Sequence, residues 1–229
     1  MMLVSLRNLK KTYPMGRITV EALKGVSLDI GAGDFVSVAG PSGSGKTTMM
    51  NIIGLIDTPS GGHLFVEDRE AGTLNRGELA RMRRDYIGFV FQSFNLLPVL
   101  SVYENIELPL TIGKKKGSRK ENRERVEYLL EEVGLVDRRA HKPAELSGGQ
   151  QQRVAIARAL VTKPRIVIAD EPTANLDSAN GERILDLMRR INREEGTTFI
   201  FSTHDPDIWK LANHVIFLRD GLIETEERR

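Results

Sequence analysis

Residues 40–47 read GPSGSGKT and fit the pattern G-x-x-x-x-G-K-[ST]. The apolar run FVSVA, Phe35–Ala39, leads straight into these glycines. TTMMNIIGLI, residues 47–56, follows them with the length and apolar density of a buried helix. A strand, a glycine loop and a helix in that order leave few folds open. Glycines let the backbone turn tightly enough for its N–H groups to converge on an anion, and the start of the next helix adds its positive end. A lysine at position 46 reaches the outer phosphates of a nucleotide, and a hydroxyl at position 47 is a ligand for Mg²⁺. The candidate phosphate-binding residues are therefore Gly40, Pro41, Ser42, Gly43, Ser44, Gly45, Lys46, Thr47 and Thr48.

The rest of the chain supplies a frame for that loop. Strands are expected at 4–9, 26–30, 63–68, 87–92, 165–170, 197–203 and 215–218, the last followed by an Asp220-Gly221 turn. Strands alternating with helical segments in the second half imply a mostly parallel sheet covered by helices. Residues 93–142 carry few strand signals; within them, 118–133 places Val126, Leu129, Leu130 and Val133 at helical spacing on a charged background. This stretch is expected to be a helical insertion into an α/β core. The 33 basic and 31 acidic side chains leave a net charge of +2, so bulk charge does not single out a nucleic-acid binder. With no cysteine, a disulfide framework, a zinc–thiolate site and a redox thiol are excluded.

Two further stretches bear on chemistry. IVIADE, residues 166–171, is an apolar strand ending in two carboxylates. Phosphoryl transfer needs a metal holder and a water orienter, and Asp170 and Glu171 are candidates for those roles; an acidic turn is the plainer alternative. LSGGQQQR, residues 146–153, opens a helix with Ser147 as its N-cap. It reads as a second anion-binding helix start without a lysine, which a single phosphate loop does not need; a flexible helix cap is the plainer alternative.

With these motifs in this order, the chain resembles the nucleotide-binding subunit of an ATP-binding-cassette (ABC) transporter. The resemblance covers nearly the whole length and includes a complete LSGGQ. It implies a P-loop NTPase core with a mostly parallel sheet, an antiparallel β subdomain near the N-terminus and an inserted helical subdomain. The expected layout is one domain, 1–229, with a core at 1–92 and 165–229 and the helical part at about 93–164. Gln92 falls where the family has a glutamine that contacts Mg²⁺ and the attacking water. Ser147, Gly148, Gly149 and Gln150 match the signature that meets the γ-phosphate held by the opposite subunit. Asn175, Leu176 and Asp177, in TANLD, match the loop that crosses the dimer interface. His204, in STHD, matches the switch histidine, and Tyr13, in KTYPMG, the aromatic that stacks on adenine. Each has an ordinary alternative: a turn residue for Gln92, a core histidine for His204, strand packing for Tyr13, a helix cap for Asp177.

The resemblance further implies ATP and Mg²⁺ as ligands. It implies hydrolysis with Glu171 as base or water-positioning group, and His204, Gln92 and Lys46 beside it. The partners implied are a second copy in a head-to-tail ATP sandwich and integral membrane permease subunits, with no nucleic acid. ALKGVSLDI and MNIIGLIDTPSGG resemble the lipoprotein-releasing and macrolide-exporting branch, and Phe94, Leu96, Leu97, Pro98, Val99 and Leu100 are the expected permease-facing surface. A signalling ATPase of a cell-division-type complex shares every motif. A cassette acting on nucleic acid or ribosomes is disfavoured, because such relatives carry two cassettes or a long coiled coil. The basic residues at 114–116, with Arg119, Lys120, Arg123 and Arg125, are read as a solvated helix face. No apolar run approaches a membrane span, and MMLVSLRNLKK lacks the continuous apolar stretch of a signal peptide. The expected location is cytoplasmic, peripheral on the inner face of the membrane through the permease.

Overall fold

The computed structural model describes residues 1–16, 18–112 and 117–229. In chain order, β1 (Met2–Met15) and β2 (Ile18–Gly31) form a hairpin, and β3 (Phe35–Ala39) runs through the glycine loop into α1 (Lys46–Ile53). β4 (Gly61–Val66) and β5 (Arg69–Glu70) follow, then α2 (Arg76–Tyr86) and β6 (Ile87–Val90). Next come α3 (Val102–Thr111), α4 (Arg119–Glu132) and α5 (Gly148–Leu160). The chain returns to the sheet with β7 (Ile166–Asp170), α6 (Ser178–Glu195), β8 (Thr198–Ser202), α7 (Pro206–Trp209), β9 (His214–Arg219) and β10 (Leu222–Arg228).

One sheet has the order β2-β1-β4-β5 and is antiparallel; the other has the order β10-β9-β3-β8-β7-β6 and is parallel except for β10. The α/β fold expected from the sequence, with its parallel sheet and N-terminal antiparallel sheet, is the fold observed. The parallel strands read as continuous apolar runs because both their faces are covered. Val36, Val38, Ile166, Ile168 and Ile200 face one core, shared with α1 and the antiparallel sheet. Phe35, Val167, Ala169, Phe199 and Phe201 face a second core under α3 to α6. Phe35 packs tilted against Phe199 and Phe201, with centroids at 5.5 and 5.0 Å. Truncating a buried Phe of this kind costs about 3–5 kcal/mol, so the strand that carries Ser202 to the site is firmly anchored.

Several boundaries differ from the sequence reading. β1 and β2 run well beyond 4–9 and 26–30, because burial in their outer halves is patchy and the bulge between Leu6 and Leu9 breaks the alternation. The segment expected as a strand to 68 turns at Glu67 and Asp68, whose φ values are 51° and 60°. α2 is not expected from the sequence; its apolar face is thin, Met82 fully buried with Leu79 and Tyr86 partly so, and its start is marked by an Asn75–Glu78 capping box. β6 stops at Val90, which leaves Gln92 in the loop beyond it. Arg125 departs from a solvated face: it donates to Glu195 Oε1 at 2.8 Å and to the Leu160 carbonyl at 2.9 Å. Residues 114–116 of the basic run lie outside the described residues.

Candidate functional site

The glycine loop has the shape its composition demands. Gly40 sits at φ 142°, and a Cβ there would lie 2.0 Å from the Leu218 carbonyl oxygen. Gly45 sits at φ 103°, and a Cβ would meet the Ala22 carbonyl oxygen at 2.5 Å. Both positions admit only glycine, for space as well as torsion. The Lys46 ammonium folds back into the loop and donates to the Gly40 and Pro41 carbonyls, each at 2.8 Å. Gly45 is the N-cap of α1 and no side chain caps the helix, so its first N–H groups keep no side-chain partner.

A line of hydrogen bonds runs across the carboxyl ends of α1's neighbours β7 and β8. The Thr47 hydroxyl donates to Asp170 Oδ2 at 3.0 Å. The Ser202 hydroxyl donates to Asp170 Oδ1 at 2.5 Å and accepts from the Glu171 N–H at 2.9 Å. Glu171 Oε1 and His204 Nδ1 are 3.0 Å apart. A carboxylate accepts, so Nδ1 carries the proton in this contact. Glu171 sits at φ 50°, a conformation uncommon for a residue with a side chain; its amide bond to Ser202 is one of the contacts that hold it there. Gln92 lines a cleft of about 420 Å³ together with Thr47 and Asp170. Carboxylate and hydroxyl oxygens are hard donors, and one or two carboxylates plus substrate phosphates is the usual way Mg²⁺ is held. Thr47 and Asp170 therefore fit that ion.

Tyr13 stands at the side of this cluster. Its hydroxyl donates to Asp57 Oδ2 at 2.6 Å and engages the Thr48 side chain in the first turn of α1. Burial pushes the phenol above its ordinary pKa, and the Asp57 hydrogen bond adds to the shift.

The signature lies elsewhere. Ser147 caps α5 in a reciprocal box: the Gln150 N–H donates to Ser147 Oγ at 3.3 Å, and the Ser147 N–H donates to Gln150 Oε1 at 2.9 Å. Gly149 packs against Asn175 and Leu176, and Gly148 against the Phe94 ring. Asp177 caps α6 through the Asn180 N–H at 3.0 Å, and hydrogen bonds from that backbone N–H and the Asn180 side chain hold its carboxyl below the usual range. Asp177 also lines a hollow of about 500 Å³ with Glu171 and His204. The structure thus gathers Lys46, Thr47, Asp170, Glu171, His204 and Gln92 at one edge, with Tyr13 beside them. Ser147 to Gln150 take their partners from a different set of residues.

The ABC transporter family pattern matches residues 23–174. The chain belongs to the ABC transporter family. It is the ATP-binding, ATP-hydrolysing cassette of that family. It is 49% identical over 229 residues to the ABC transporter ATP-binding protein MJ0796 of Methanocaldococcus jannaschii, covering 99% of this chain and 97% of that protein. It is 47% identical over 224 residues to the macrolide export ATP-binding/permease protein MacB of Syntrophobacter fumaroxidans, covering 98% of this chain but 31% of that protein. A dimeric structure of MJ0796 in a post-hydrolysis state, bound to ADP and Pi, superposes with a TM-score of 0.94 at 47% identity, covering 99% of this chain and 98% of that one.

Some residues of the cassette's site escaped sequence reading. Ser202 joins Asp170 to Glu171, and its place in STHD beside His204 was an available signal. Arg158 on α5 donates to the carbonyls of Phe94 at 2.7 Å and Asn95 at 2.6 Å. Both of those residues are at positive φ, 62° and 48°. Burial lowers the pKa of this guanidinium, which ties the loop after Gln92 to the signature helix. No local pattern marks it.

Proposed function

We propose that this cassette drives a membrane permease through ATP-dependent pairing with a second copy of itself. The observation that carries this reading is the continuous line from Thr47 through Asp170 and Ser202 to Glu171 and His204, set apart from a signature that is complete but faces other residues. One copy holds the nucleotide's phosphates on the loop and Lys46. The Ser147 helix start of a second copy offers its N–H groups to the outer phosphate, and Asp177 lies beside the reacting edge at that junction. MJ0796, which is dimeric in its solved structure, supports this arrangement.

Within one site each group has a separate task. Lys46 leaves its loop carbonyls for the phosphates and neutralises charge as the outer phosphoryl departs. Glu171 orients the attacking water and takes its proton, and the His204 N–H holds that carboxylate in place. Ser202 keeps Asp170 and Glu171 in a fixed relation. Thr47, Asp170 and Gln92 would hold Mg²⁺, which when bound supplies positive charge to the phosphate oxygens. Tyr13 supplies a stacking face for the base.

The likeness to MacB supports an export-type role, in the macrolide or lipoprotein branch. No helix among the described residues is long and apolar enough to cross a membrane, so the proposed membrane location is peripheral, through the permease. The proposed contact is the loop after Gln92. Leu97 and Val99 there are 41% and 71% exposed, while Phe94, Leu96 and Leu100 are partly buried and give the loop its footing. Purification of a Glu171→Gln variant from solubilised membranes with ATP and Mg²⁺ tests the whole reading. A permease retained only with ATP supports it; a variant that recovers ribosomal proteins or nucleic acid and no membrane protein overturns it.

A further inference from the structure

Tyr13 is held from two sides by Lys11 and Asp57, which lie in the stretches KTYPMG and MNIIGLIDTPSGG but have no assigned role there. The Lys11 ammonium lies 4.8 Å from the centroid of its ring. That ammonium donates to Asp57 Oδ1 at 2.6 Å and to the Thr58 carbonyl at 2.7 Å. The other oxygen of the same carboxylate accepts from the Tyr13 hydroxyl, also at 2.6 Å. Lys11 is only 8% exposed. Burying a lysine so far is expensive unless a partner meets it. Asp57 is fixed in turn, because its N–H and that of Ile56 both donate to the Asn51 carbonyl on α1. The turn is also stitched to β1, with the Ser60 N–H on the Lys10 carbonyl at 2.8 Å and the Thr12 N–H on Ser60 Oγ at 3.1 Å. The helix that begins at the phosphate loop thus ends in the turn that grips Tyr13.

We infer that Asp57 and Lys11 are positioning residues for nucleotide binding: they lock the Tyr13 ring beside the phosphate loop as a ready-made platform for the base. This rests on the proposed reading of Tyr13 as that platform. A free tyrosine ring loses rotamer freedom when a base stacks on it, and ordering one such side chain costs about 2- to 10-fold in affinity. Holding the hydroxyl in advance removes that cost. The ammonium takes one face of the ring and directs the base to the other. The cation also keeps the carboxylate ionised, and a hydrogen bond to an ionised acceptor is stronger than one between neutral groups.

The test compares ATP with inorganic tripolyphosphate, both with Mg²⁺, by calorimetry on Tyr13→Ala, Tyr13→Phe, Asp57→Ala and the Asp57→Ala/Tyr13→Ala double variant. Loss of the ring is expected to weaken ATP by about 10-fold or more and leave tripolyphosphate unchanged. Tyr13→Phe and Asp57→Ala should each weaken ATP by about 2- to 10-fold, again without touching tripolyphosphate. Asp57→Ala should add nothing in the Tyr13→Ala background. If Asp57→Ala weakens both ligands equally, it acts on the phosphate loop through α1 and the inference is overturned. It is also overturned if Tyr13→Ala weakens ATP while Asp57→Ala does not, in which case the platform itself stands. If Tyr13→Ala leaves ATP binding unchanged, the platform reading falls and the clamp falls with it.

Discussion

Two helix starts in this chain look alike in sequence and are built in opposite ways. α1 opens at Gly45, in a left-handed conformation at φ 103°, with no side-chain cap. α5 opens at Ser147, in extended conformation, with a closed capping box to Gln150. The first keeps backbone donors in reserve, at a cost that an arriving anion relieves. The second spends the Gln150 N–H on its cap and leaves the Gly148 and Gly149 N–H groups without a side-chain cap. On the proposed arrangement the nucleotide's primary hold is at α1, where the Lys46 ammonium stands beside that helix's uncapped donors. α5 has fewer uncapped donors and no lysine at its start, which suits the proposed secondary encounter with a nucleotide held by another subunit.

The largest effect that bears on this contrast belongs to Glu171→Gln. Hydrolysis should fall by about 100- to 10,000-fold with ATP binding retained, and ATP-dependent pairs should accumulate in size-exclusion chromatography. Parent-rate hydrolysis would remove Glu171 from its assigned role. Next in size, Lys46→Ala should weaken ATP binding by about 10- to 100-fold, the loss of one or two charge-assisted hydrogen bonds. Ser147→Ala sharpens the comparison. It should leave the monomer's ATP affinity unchanged, abolish pairing, and cost about 1 kcal/mol of stability through its cap. Equal effects of the Lys46 and Ser147 variants on monomer binding would erase the distinction between the two helix starts. Ser202→Ala should lower hydrolysis by about 10-fold, the scale of an outer partner of a metal-site ligand, with ATP affinity measured alongside to separate binding from chemistry.

The smallest effect is in pH. Burial alone would raise the Asp57 carboxyl, but the hydrogen bonds from Lys11, Tyr13 and the Thr58 N–H outweigh it and hold the group below its ordinary value of 3.8. A depressed carboxylate contributes stability above its unfolded pKa and loses it as pH falls through the folded one. Asp57→Asn should therefore be less stable than the parent at neutral pH, with the gap narrowing only below about pH 4. A gap that stays constant to lower pH in chemical denaturation would show that the charge of Asp57 is not what stabilises the turn.

Much of the site was legible because its parts are local. GPSGSGKT needs only adjacent residues to define a loop, and Ser147 and Asp177 cap helices within three positions of themselves. The parallel strands were legible because both faces are buried, which forces runs such as FVSVA and IVIAD. Sequence failed where burial was partial or where partners were distant. The outer hairpin is largely exposed and α2 fully buries only Met82, so their side chains record little of the tertiary setting.

By itself, then, the order of residues determined the fold class and singled out the candidate phosphate loop and carboxylates, because short-range backbone geometry and the periodicity of burial are written in neighbouring residues. Only the tertiary structure decided that Ser202 couples Asp170 to Glu171, 31 residues away, and that Arg158 grips Phe94, 64 residues back. The same holds for Asp57, which reaches Tyr13 across 44 residues. These contacts depend on which strands lie side by side and where each helix ends, and no local pattern encodes a hydrogen bond whose two halves meet only when the chain has closed.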